Sequence, residues 1–148
     1  THLLELDLDI NKDTEPLDLS GLTALTKLDS NQSPIQRLPT SLVECSISLR
    51  SDFDFTPFTN LTWLSVSLAP TVRVTFPTGL KGLALRKGQL GNTNIGDLAL
   101  ESFESGWNRL VTRDDLEKLP KTLRTFKCVF EPESLVEHLS EMFPLFQK

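Results

Sequence analysis

The chain has 148 residues, of which 39% are hydrophobic, and a formal net charge of −5. That length and apolar content suit one domain with a packed core and exclude a disordered composition. The acidic balance, with no run of Lys or Arg, argues against a nucleic-acid backbone or an anionic membrane as partner.

The first segment, "LLELDL" from Leu3, alternates apolar and polar residues and reads as a short strand with one buried face. The same frame, apolar at its first, fourth and sixth places, returns as "LTKLDS" from Leu25, with Ser30 as the exception. It continues as "LVECSI" from Leu42, "LTWLSV" from Leu61, "LKGLAL" from Leu80, "IGDLAL" from Ile95 and "LRTFKC" from Leu123. Three copies follow a proline three residues earlier, in "LPTSL" (38–42), "FPTGL" (76–80) and "LPKTL" (119–123). Proline restricts the residue before it and donates no backbone N–H, so each motif reads as a corner leading into a strand.

Between the last two frames, "TRDDLEKL" offers Thr112 as an N-cap with Asp115 three residues on, which predicts a short helix over 113–119. Asp114 and Asp115 then lie in a first helical turn, where the helix dipole accounts for them better than carboxylate chemistry does. The chain ends on a stretch in which Leu135, Leu139, Met142 and Phe146 share one helical face after Pro132. This predicts a helix over 132–146 that caps the open end of the core, or alternatively meets a partner. No cap precedes the frame at Leu3, so the chain is expected to be a fragment of a longer protein.

Repeats this short cannot bury their apolar side singly and must stack. The window "LTKLDSNQSPIQRLP" resembles the leucine-rich-repeat family, with Ser30 and Ser33 where the family has a leucine and an asparagine, and "LLELDLDIN" supplies that asparagine as Asn11. The resemblance covers nearly the whole chain. It implies an α/β leucine-rich-repeat solenoid, or horseshoe, as a single domain over 1–148 with about seven repeats. Short parallel strands line its concave face, the convex side is mostly irregular, and a partner protein is held on the concave face.

Strand alternation sends the third, fifth and seventh frame positions outward. The third row is Glu5, Lys27, Glu44, Trp63, Gly82, Asp97 and Thr125. The fifth is Asp7, Asp29, Ser46, Ser65, Ala84, Ala99 and Lys127; the seventh includes Ser48, Ser67, Arg86 and Glu101. The early rows are acidic and the middle is built of small residues. The candidate partner-binding residues are Asp7, Asp29, Ser46, Trp63, Ser65, Ser67, Arg86 and Lys127. Trp63 is the main anchor candidate, since outward aromatics are frequent hot spots; the alternative is that "SDFDFTPF" (51–58) folds over it. Trp107 reads as structural packing.

No catalytic constellation emerges, and neither an enzymatic role nor a cofactor, metal or small-molecule substrate is expected. His2 and His138 lie at opposite ends of the coil, and "RKGQLGNTNIG" lacks the G-K-[ST] of a phosphate cradle. Cys45 and Cys128 sit on inward positions four strands apart, roughly 19 Å at ~4.8 Å per strand, beyond disulfide reach. Two buried free thiols favour a reducing, cytoplasmic setting and weigh against glycosylation at Asn31 or Asn60. The leading function is therefore a protein–protein interaction module. The alternative is a structural segment that positions another domain.

Overall fold

The structure is a computed structural model, described here for residues 2–9, 15–30, 34–106, 113–128 and Met142. It is a parallel β-solenoid with little helix. Seven strands form one parallel sheet: β1 (Glu5–Asp7), β3 (Lys27–Ser30), β5 (Glu44–Leu49), β7 (Trp63–Leu68), β9 (Gly82–Lys87), β10 (Ser102–Ser105) and β11 (Thr125–Cys128), in that spatial order. Between them lie β2 (Leu17–Asp18), β4 (Ile35–Arg37), β6 (Phe53–Asp54) and β8 (Val74–Thr75), which pair β2 with β4 and β6 with β8 on the opposite side. Two 3-10 turns, Leu90–Asn92 and Ile95–Asp97, and the helix α1 (Arg113–Lys118) complete the described elements. The helix expected over 113–119 is thus present. Of the expected cap over 132–146 only Met142 lies among the described residues, helical and packed against the core. Trp107 and His138 lie outside them.

Backbone hydrogen bonds mark the repeat frame independently of the side chains. The amides of Thr26 and Lys27 both donate to the Leu4 carbonyl, those of Val43 and Glu44 to Thr26, and those of Thr62 and Trp63 to Val43. The same fork recurs from Lys81 and Gly82 to Thr62, from Glu101 and Ser102 to Lys81, and from Arg124 and Thr125 to Glu101. Residues 5, 27, 44, 63, 82, 102 and 125 therefore share one register row.

That row corrects the sixth repeat. Its strand does not begin in "IGDLAL": Ile95–Asp97 is a 3-10 turn, and Ser102 aligns with Gly82 and Thr125. The frame there starts at Leu100, and Ser102 and Glu104 hold the outward third and fifth places in lieu of Asp97 and Ala99. Ile95, Leu98 and Leu100 are all buried in the core, but Ile95 belongs to the 3-10 turn, Leu98 ends it and Leu100 opens the frame that follows. With the start moved, the spacings on either side become 20 and 23 residues, in place of 15 and 28.

Two of the three proline corners close with a backbone hydrogen bond. The Leu80 amide donates to the Pro77 carbonyl at 3.1 Å and Leu123 to Pro120 at 3.3 Å, and Leu61 makes the equivalent bond to Phe58 without a proline. Hydroxyls at the corners satisfy carbonyls of the preceding turn: Ser41 Oγ donates to Leu25 O at 2.6 Å and Thr122 Oγ1 to Leu100 O at 2.7 Å. Such bonds keep irregular backbone from carrying unpaired polar groups.

The core is one continuous cluster of leucines with Phe55, Phe58, Phe76 and Phe103. Phe53, Phe55 and Phe58 pack on one another, with centroid separations of 4.5–6.1 Å. "SDFDFTPF" thus contributes to the core rather than folding over Trp63. Ser30 and Ser105 take the sixth, inward place of their repeat frames, fully buried and with no partner for either hydroxyl. The ion pairs Lys27–Glu44 (3.6 Å), Arg37–Asp18 (3.8 Å) and Lys81–Glu101 (3.4 Å) are exposed and contribute little. No helix among the described residues is long and apolar enough to cross a membrane.

Candidate interaction groove

Parallel pairing in register stacks equivalent residues into rows on the outer face of the sheet. The fifth-place row runs Asp7, Asp29, Ser46, Ser65, Ala84, Glu104 and Lys127. Its small middle members leave a trough between larger neighbours. A groove of about 620 Å³ lies there, lined by residues of β3, β5, β7, β9 and β10 together with Gly106. It brings together Asp29, Ser46, Trp63, Ser65 and Arg86 of the candidate residues. Asp7, Ser67 and Lys127 lie on the same face but outside the groove lining.

Trp63 is half-buried, neither a core residue nor a fully exposed one. A Cβ added at Gly82, its in-register neighbour on β9, would fall 2.0 Å from Trp63 Cε3 and 2.2 Å from Cζ3. The six-membered edge of the indole therefore fills the space that a side chain at position 82 would need. Ser65, two residues along β7, is only 6% exposed, and its hydroxyl has no hydrogen-bond partner. Ser65 faces the groove rather than the core, so this unmet hydroxyl differs in kind from those of Ser30 and Ser105.

The obstruction at Gly82 comes from the outer edge of a side chain, which can rotate away. Gly82→Ala is accordingly expected to keep the fold and displace the indole into the groove. The expected result is a red shift in Trp63 emission, recorded in a Trp107→Phe background, with little change in the far-ultraviolet circular dichroism spectrum.

Charge is unevenly distributed along this face. Toward β1 stand Glu5, Asp7, Asp29 and Glu44, with Lys27 among them; toward β11 stand Arg86, Lys87 and Lys127, with Glu104. The repeat frame sets Arg86 across from Ser67, but Lys87 takes that place. An extra residue is accommodated at Arg86, a bulge of the kind that re-aims side chains at a sheet margin. Gly88 follows it at φ 108°, where its lack of a Cβ permits the turn out of the strand. Lys87, Glu104 and Gly106 are groove residues that the sequence frame did not place. A lysine beside an arginine at a strand end was the available signal for the first; the misplaced sixth repeat concealed the other two.

Cys45 lies beneath the groove floor, free and 2% exposed. Burial pushes its thiol up to about 12, and the nearby Asp29 carboxylate adds to the effect. Between the unfolded value near 9 and the folded value, the unfolded chain loses a proton that the folded chain keeps. This thiol therefore withdraws stability as pH rises through that window. At pH 8, alkylation of the Cys45 peptide by iodoacetamide, followed by mass spectrometry, is expected to be at least about a hundredfold slower in the folded chain than after denaturation. Among the described residues no group of three His, Cys, Asp or Glu side chains could hold a metal ion.

Compared with family models, with curated proteins and with solved structures, the chain matches none of them.

Proposed function

We propose that the solenoid is a protein-interaction scaffold of the leucine-rich-repeat kind, a horseshoe that docks a partner protein on the concave outer face of its sheet. The supporting observation is the groove centred on Trp63 and Ser65. A half-buried aromatic is held beside a glycine, over a floor of small side chains that includes a buried hydroxyl without a partner. An unmet buried hydroxyl costs free energy in the unbound protein, and an incoming amide or carbonyl that pairs with it recovers that cost. Small floor residues admit a partner backbone closely, and a preordered indole loses little side-chain entropy on binding.

The test is a paired capture from cell lysate, using the native chain and a Trp63→Ala/Ser65→Arg variant, with the fold of each verified by circular dichroism. Removing the anchor and blocking the floor is expected to weaken retention at least about thirtyfold, the effect of roughly 2 kcal/mol at a hot spot. Equal retention of every protein by the two baits would remove this face from the proposal.

A second reading, a segment that positions another domain, draws on Leu3 and Leu4. These large apolar side chains are 43% and 57% exposed beside β1, one of the two edge strands of the described sheet. Under that reading Leu3→Ser/Leu4→Ser would disturb the protein's assembly with its neighbour, whereas the groove variant would not.

A further inference from the structure

The groove crosses five neighbouring strands, β3 to β10, in the order β3-β5-β7-β9-β10. Four steps at roughly 4.8 Å give a trough about 19 Å long, the span of about six residues of extended chain at ~3.3 Å each. Its two ends differ in charge. Asp29 and Glu44 line the β3–β5 end, with Glu5 and Asp7 beyond it, so the positive charge of Lys27 is outnumbered there. Arg86 and Lys87 line its other half at β9, one strand short of Glu104 on β10, and with Lys127 beyond they outnumber that carboxylate. The buried hydroxyl of Ser65 lies midway between them.

We propose that this groove takes one extended peptide segment of a partner protein, laid across the strands, with a cationic side chain at the Asp29–Glu44 end and an anionic side chain at the Arg86–Lys87 end. The proposal rests on the docking role of this face and specifies its ligand. The Ser65 hydroxyl pairs with a backbone group of the segment, and the indole of Trp63 packs against an uncharged side chain near its centre. Opposite charges at the two ends fix the direction in which the segment lies and reject segments with like charges at both ends.

The experiment is affinity selection on the immobilised full chain with four pools of end-capped hexapeptides. These are Lys-Xaa4-Glu, Glu-Xaa4-Lys, Lys-Xaa4-Lys and Glu-Xaa4-Glu, with Xaa uncharged. One or both pools of mixed charge should be retained about tenfold above the like-charged pools at low salt, and the margin should shrink as salt is raised. Arg86→Glu/Lys87→Glu makes both ends acidic and should transfer the preference to Lys-Xaa4-Lys. Lys87→Glu alone should shift it the same way to a smaller extent, in a variant that leaves the bulged residue intact. Ser65→Ala should lower retention about fivefold without altering the charge ranking.

Retention of all four pools alike, retention of none, or a ranking unchanged by the reversals would overturn the assignment. If a like-charged pool is retained and Trp63→Ala/Ser65→Arg abolishes that retention, the docking face stands and the proposed ligand falls. If native chain and groove variant also capture the same proteins from lysate, both fall.

Discussion

Phe103→Ala is expected to lower the free energy of unfolding by about 3–5 kcal/mol, the usual cost of truncating an enclosed aromatic. Phe103 is 0% exposed, lies in β10 at the inward fourth place of the repeat frame, and stacks on Phe126 of β11 at 5.9 Å between centroids. Ile95, Leu98 and Leu100, which precede it, are buried in the same core cluster, so the site has little means of collapse. In a solenoid each repeat leans only on its neighbours, so the damage should be local as well as large. Urea unfolding measures the total, and hydrogen exchange should show protection lost first in β9–β11. A loss below about 1 kcal/mol would contradict the enclosed packing of this residue.

Gly106→Ala is the second large effect, for a different reason. A Cβ there would lie 2.6 Å from both Cα and the carbonyl oxygen of Arg86, and 3.0 Å from its carbonyl carbon. These are backbone atoms of the bulged end of β9 and cannot rotate aside as the indole does at Gly82. The Gly106 amide meanwhile donates to Leu85 O at 2.8 Å, so relieving the clash also strains a ladder bond. The expected cost is about 1–3 kcal/mol, with faster exchange of the Gly106 amide. Gly82→Ala, with a closer nominal clash, should cost less. Reversal of that order in paired urea titrations would refute the distinction between side-chain and backbone obstruction.

The repeat was legible because the sheet imposes a two-residue alternation and every repeat must hide the same side. Leu28, Cys45, Leu64 and Leu83 announce themselves as inward positions by that rule alone. The sixth repeat was not legible by the same rule. Ile95, Leu98 and Leu100 carry the apolar spacing that Leu100, Phe103 and Ser105 were required to show, and Ser105 puts a hydroxyl where the frame asks for an apolar side chain. Ser30 had already set that precedent in the second repeat. Side-chain burial alone does not separate a strand from a packed turn; backbone pairing does, and it chose Ser102.

At the groove, the outward rows contain Asp29, Ser46, Trp63 and Ser65, all of which line it. A tryptophan opposite a glycine on the next strand was a readable sign of an indole leaning across. The bulge at Arg86 was not readable, because an added residue at a strand end leaves the preceding alternation intact.

The most direct test of a docking face centred on Trp63 is site-specific photocrosslinking. Benzoylphenylalanine would be placed at position 63 in one sample and at the exposed Thr75 of β8, on the opposite side, in another. Both would be irradiated in cell lysate and the adducts compared. A partner protein joined at position 63 and absent at position 75, and suppressed by excess native chain, is the predicted result. Adducts that form at position 75 alone, or at both positions with no competition by the native chain, would contradict it.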